Sequence, residues 1–263
     1  MPTFDTPEPI LAVIEVYTGY VRINAGDRAD TVVDVRPIDP AEESSVQAAE
    51  RTRVEFSGGR LLVKEPRAKG FGSWLAWRGG IEVNLDLPSG SRVQASGAAE
   101  FLGTGRLGES VVHSSNGDIR LEETAQADLK AANGEISVDW VTGSAEIKSS
   151  NGAVRLGTVD GDVLIRSATG DVTVDRPLSD LTVKSAYGRV RVGEVTRGST
   201  RLEIGYGKAH IGIADGTAAW LDLHSKHGMV RNELTASESP GEAGTTAEVR
   251  VRANYGDIDV HRS

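Results

Sequence analysis

The chain has 263 residues, a formal net charge of −9, and 38% hydrophobic and 25% charged side chains. That balance describes an ordinary folded protein long enough for a large core, and its acidic sum argues against nucleic acid as the main partner. It contains no cysteine, which excludes disulfides and thiolate metal or redox sites.

The opening, MPTFDTPEPI, has no basic start, no long apolar stretch and no cleavage site. No run approaches the roughly 18 apolar residues of a membrane span. A soluble, cytoplasmic chain is expected, and a surface location reached by a non-standard export route stays compatible with the sequence.

Strand-like runs occur at 10–16, 20–23, 31–35, 53–56, 61–64 and 81–87. Between them, Asp39-Pro40-Ala41-Glu42 reads as a helix start, with Asp39 as N-cap, Pro40 in the first turn and Glu42 as the capping-box acid. A helix over about 40–51 is predicted. Residues 89–263 are read as a repeat domain, and 1–88 as a β-rich cap that merges into its first coils. The stretch 64–80 places Phe71, Trp74, Leu75 and Trp77 among Lys64, Arg67, Lys69 and Arg78. Such a loop can dock on a membrane or a partner, or plug an open end of the core.

From residue 114 onward one phrase returns: SSNGDIRLE, AANGEISVD, SSNGAVRLG, SATGDVTVD, SAYGRVRVG, SKHGMVRNE and ANYGDIDVH. Apolar pairs two residues apart recur every nine residues: Ile136/Val138, Ala145/Ile147, Val154/Leu156, Val163/Ile165, Val172/Val174, Leu181/Val183 and Val190/Val192. A polar residue usually separates the two, so each pair is a short strand with one face toward a core. Two strands make an 18-residue unit. Their links are a tight Ser-Ala-x-Gly turn and a looser one with Val141, Val159, Leu178 or Val195 as an inward corner.

A chain turning once per unit stacks equivalent strands in parallel. The expected fold is therefore an all-β parallel solenoid, at about 4.8 Å per coil. A left-handed hexapeptide helix would need inward aliphatics where Thr142 and Lys148 stand, so right-handed crossover is expected. A calcium-binding nonapeptide roll is excluded by Arg189 and Lys208 at the ligand position. The stretch 235–248, TASESPGEAGTTAE, reads as a mobile surface loop. The final strand, within GDIDVHRS, is expected at the free end, blunted by Asp257, Asp259, His261 and Arg262 or by that loop.

These tandem S-[SA]-[NTY]-G-[DE]-[IV]-x-[VL] units, entered through IEVNLDLPSGSRVQASG at 81–97, resemble the bacterial putative-adhesin family of β-strand-repeat domains of unknown function. The resemblance covers 89–263 well and the earlier residues loosely. It implies a β-solenoid and carries no catalytic signature.

A solenoid converts period into columns. The residue after the second strand is His113, Lys130, Lys148, Arg166, Lys184, Glu203, His224 and Arg252 in turn. Lys130, Lys148, Arg166 and Lys184 form either a solvated edge or a track for a polyanion such as acidic glycan, lipid headgroups or an acidic protein. Before the glycine stand Asn116, Asn133, Asn151, Thr169, Tyr187, Tyr206, His227 and Tyr255. The asparagines suit left-handed turns, and the aromatic half either self-stacks or stacks sugars.

GTGRLG at 103–108 matches a dinucleotide-loop pattern, but strand-like sequence comes after it instead of a helix. The five histidines, 113, 210, 224, 227 and 261, fall on different coils, and no metal or other cofactor is expected. The reading is a non-enzymatic binding or scaffold protein. The alternatives are a self-assembling structural protein and, behind it, a polysaccharide-active β-helix enzyme.

Overall fold

The computed structural model describes residues 1–66, 79–234 and 245–263. The aromatic candidates Phe71, Trp74, Leu75 and Trp77 lie outside the described residues, as does 235–244 of the expected loop. Two compact units result, Met1–Gly134 and Glu135–Ser263.

The first unit holds β1 (Thr3–Asp5), β2 (Leu11–Gly26), β3 (Asp30–Pro37), α1 (Glu43–Arg51), β4 (Arg53–Ser57), β5 (Arg60–Lys64), β6 (Ile81–Pro88), β7 (Arg92–Ser114) and β8 (Ile119–Asn133). β2 organises it, pairing in parallel with β5, β6 and β7. Its alternating Ala12, Ile14, Val16, Val21 and Ile23 are buried, as a one-sided strand requires. An antiparallel layer is added by β3 on β6, β1 on β3, and the β4–β5 hairpin. Gly58 and Gly59, both at positive φ, turn that hairpin.

The helix begins at Glu43, later than the sequence implied, with Glu42 as N-cap. Asp39 spends its carboxylate on the Ala41 N–H at 2.8 Å. That closes a turn before the helix instead of capping it. GTGRLG lies wholly inside β7. Gly105 has φ +72°, and a Cβ there would sit 1.9 Å from the Ala25 carbonyl oxygen. The register between β7 and β8 shifts between Gly103 and Arg106, so the glycine serves a β-bulge.

In the second unit, strands alternate between two stacks. One contains β9 (Ile136–Val141), β11 (Val154–Val159), β13 (Val172–Pro177), β15 (Val190–Val195), β17 (Ala209–Ile213), β19 (Val230–Asn232) and β21 (Ile258–Arg262). The other contains β10 (Ala145–Asn151), β12 (Val163–Thr169), β14 (Leu181–Tyr187), β16 (Gly198–Tyr206), β18 (Ala218–His227) and β20 (Thr246–Tyr255). All pairings between their strands are parallel, with residue i against i+18 from β9 through β14. The expected β-solenoid is the fold.

Every apolar pair of the nine-residue series is at most 3% exposed. Ser149, Ser167 and Ser185 fill the tight inner corner and are buried. Val141, Val159 and Val195 form the looser corner as expected. Leu178 does not: Pro177 pairs with Val159 and takes the buried position, leaving Leu178 half-buried. Proline is tolerated at this strand end because its missing N–H costs nothing where the strand stops.

The coils are not stacked in chain order at the C-terminal end. β16 pairs with β20, and β20 with β18; β17 pairs with β21, and β21 with β19. The last strand pair is thus inserted between the coil of β16–β17 and the coil of β18–β19. This corrects the expectation that the final strand is the free end. The outermost coil among the described residues is 218–232, and it exposes Trp220, Met229 and Val230.

The supposed guard charges of the last strand instead bind its neighbours. Asp257 Oδ1 accepts the Met229 N–H at 3.0 Å, and Oδ2 pairs with Lys208 at 3.1 Å. Asp259 lies between His210 (3.5 Å) and Arg231 (3.7 Å). Arg262 donates to the carbonyls of Ala214 and Thr217 at 2.8 and 2.9 Å.

Candidate functional site

The outer face of the β10/β12/β14/β16/β20/β18 stack carries the columns foreseen from the repeat. Register puts Lys148, Arg166, Lys184, Glu203, Arg252 and His224 side by side in that order. The strand insertion therefore moves Arg252 inside His224. Lys130 belongs to the first unit, opposite His113 in the β7–β8 pair, with Asp128 at 3.6 Å.

Two residues further along each strand lie Ser150, Ala168, Ala186, Gly205 and Asn254. These small side chains beside long cations leave a shallow trough of about 800 Å³, lined by both columns. It crosses the strands, so it runs along the stacking direction.

Most of its charge is partly neutralised. Lys148 Nζ contacts Glu146 at 2.6 Å and Lys184 Nζ contacts Glu203 at 2.9 Å. Arg252 binds Asp222 through both carboxylate oxygens, at 2.8 and 2.5 Å. That fork holds the Asp222 carboxyl below its ordinary range and raises the Arg252 guanidinium. Of the trough's four cations only Arg166 has no ion-pair or hydrogen-bond partner among the described residues. It stands between Lys148 and Lys184 at ladder spacing, about 4.8 Å from each.

The aromatic column is assembled, with its members reordered by the same insertion. Tyr187 stacks on Tyr206 (centroids 5.0 Å), Tyr206 on Tyr255 (4.7 Å) and Tyr255 on His227 (4.6 Å). Interplanar angles are 5°, 2° and 14°. Rings stacked this closely spend their faces on one another. A ligand meets their edges along the column and an open face only at its ends.

Beneath the column the turn glycines stack too. A Cβ on Gly207 would lie 1.8 Å from the Gly188 carbonyl oxygen, and one on Gly256 1.8 Å from that of Gly207. Aspartates tie successive coils together by accepting a neighbour's backbone N–H: Asp171 from Arg189 (2.8 Å) and Asp180 from Ser199 (2.9 Å). Sequence reasoning missed this role, although acids recur after the turn glycine. Among the described residues no group of three or more His, Asp or Glu side chains is placed to hold a metal ion.

A continuous parallel ladder with one-sided strands and a stacked glycine turn defines a β-solenoid built to display columns of side chains. Residues 82–209 match the family model Toastrack DUF4097, a domain of unknown function. No curated protein matches the chain. Among solved structures, a putative adhesin from Parabacteroides distasonis is 12% identical, covers 98% of this chain and 95% of its own, and superposes with a TM-score of 0.50. A putative adhesin from Bacteroides fragilis is 11% identical over 99% of this chain and 95% of its own, with a TM-score of 0.47. One from Parabacteroides merdae is 14% identical over the same shares, with a TM-score of 0.40. Identity this low speaks to the fold alone.

Proposed function

We propose that the protein is a non-catalytic binding module whose trough takes an acidic, linear glycan. The observation that carries this reading is Arg166, unpaired between Lys148 and Lys184 on a floor of small side chains. Neighbouring like charges at that spacing repel by somewhat under 1 kcal/mol in water, and an anionic ligand relieves the repulsion. The concave trough runs across the strands, which suits a chain better than the flat plane of lipid headgroups. A net charge of −9 further disfavours an anionic membrane. The adhesin names of the structural neighbours agree with a binding role.

The test is retention on immobilised acidic polysaccharide, with anionic vesicles as a parallel arm. Binding should appear at low salt, fade as salt rises, and vanish when Lys148, Arg166 and Lys184 are all changed to Gln. Binding unaffected by those changes would remove the trough from the account, and vesicle binding alone would replace the glycan with lipid.

Self-assembly remains the second reading, and the insertion relocates it. β18 and β19 pair only on their inner sides among the described residues, through β20 and β21. That open edge, with Trp220, Met229 and Val230 exposed, is where coils of two copies would meet. Light scattering across concentration reads it directly.

A further inference from the structure

The same strand stack holds a second hollow whose chemistry is opposite to the trough's. Trp220 on β18 is 56% exposed, unusual for the largest apolar side chain. It borders a cavity of about 650 Å³ together with Asp180, Ser199, Thr246 and Glu248, over the small Gly198 and Ala247. Register sets Ser199 beside Glu248 and Glu248 beside Trp220. The Ser199 N–H bonded to Asp180 adds one more coil. From Asp180 to Trp220 is therefore three ladder steps, about 14 Å, long enough for a short oligosaccharide.

The polar groups have capacity to spare. Asp180 uses Oδ1 on the Ser199 N–H at 2.9 Å, and Glu248 uses Oε1 on Arg250 at 3.1 Å. Each carboxylate keeps a second oxygen able to accept hydrogen bonds. The hydroxyls of Ser199 and Thr246 on the cavity wall add two groups that can donate and accept.

Charge narrows the ligand. The lining itself holds two carboxylates, Asp180 and Glu248, and no cation among the described residues. The neighbouring Arg250 is shared between Glu248 and Asp222 (3.1 and 3.3 Å), so the hollow disfavours anions. A cationic ligand finds its best seat already used, since the Arg250 guanidinium lies 5.9 Å from the Trp220 ring centroid. What remains is a neutral molecule with an apolar C–H face for the indole and hydroxyls for the carboxylates. We propose that this hollow is a second binding site, for a neutral oligosaccharide. It does not rest on the trough.

The test uses the full chain with neutral trisaccharides (cellotriose, maltotriose, mannotriose and chitotriose), read by saturation-transfer NMR and tryptophan fluorescence. At least one should bind with little dependence on salt. Trp220→Ala should weaken it about tenfold or more, Trp220→Phe less, and Glu248→Gln measurably. Trp220 is exposed, so the variants should melt with the parent and still bind whatever the trough binds. Failure of all four sugars, binding that survives Trp220→Ala, or binding that salt abolishes would each overturn the proposal.

Discussion

Gly207→Ala asks whether the turn glycines are steric necessities of the stack. Gly207 has φ +151°, and an added Cβ would lie 1.8 Å from the Gly188 carbonyl oxygen and 2.6 Å from its carbonyl carbon. Backbone in that region costs a side-chain-bearing residue about 1–3 kcal/mol. Relieving the clash requires the coils to part by more than ~1 Å here, given ordinary contact distances. That opens the Gly188 N–H to Tyr206 and Val190 N–H to Lys208 bonds across the gap, both 2.9 Å. Each is worth about 1 kcal/mol net. It also loosens the Tyr187–Tyr206 stack across the same gap, worth about 0.5–1.5 kcal/mol. The total is about 3–7 kcal/mol, a large share of a typical domain's stability. Gly26→Ala is the control, because a Cβ there meets nothing within 4 Å. Urea unfolding followed by near-ultraviolet circular dichroism should show a large loss for Gly207→Ala and a change within about 0.5 kcal/mol for Gly26→Ala. Equal midpoints for Gly207→Ala and the parent would refute the stacked-turn geometry.

Leu181 is fully buried between Val163 and Thr200, so Leu181→Asp should cost at least about 4 kcal/mol, measured by thermal melting or lost expression. Glu65 is 8% exposed and accepts the Tyr17 N–H at 2.7 Å, and burial raises its carboxyl above the ordinary range. The folded state then holds the proton more tightly than the unfolded chain, so stability falls as pH rises from the ordinary carboxyl range through the raised value. Glu65→Gln keeps an acceptor for Tyr17, and its melting temperature at neutral pH should equal or exceed the parent's. Asp257 titrates the other way. The Met229 N–H, with Lys208 beside it, holds its carboxyl below the usual value. Its contribution is present above the ordinary range and is lost as pH falls through the lowered value. Asp257→Asn should therefore melt below the parent at neutral pH, and the gap should close in acid.

The solenoid was legible because its signal is periodic and local. Alternation within each strand and a fixed step between strands leave one way to bury Val172, Val174, Leu181 and Val183 together. Coil order is another matter. Equivalent coils satisfy the same inward pattern in either order, so hydrophobic periodicity is blind to the insertion of β20–β21. A weak signal did exist. Asn232 occupies the position that Val260, Ile211 and Val192 fill in the neighbouring coils. Such a polar substitution suits the last coil and not an interior one. The cation and aromatic columns were likewise readable as columns. Their sequence within the column was not, and neither were Glu146, Glu203 and Asp222 as the neutralising partners. Ion pairing depends on side-chain reach across strands, which a one-dimensional period does not encode. The Trp220 hollow needed the insertion as well, since it sets Glu248 between Ser199 and Trp220.

The trough is tested most directly by titrating the isotopically labelled protein with an acidic oligosaccharide at low salt and monitoring backbone amide shifts. Binding in the trough should concentrate the shifts at 148–150, 166–168, 184–186, 203–205 and 252–254, the residues around it. They should collapse in Arg166→Gln. Shifts that are absent, spread over the surface, or unchanged by Arg166→Gln would contradict it.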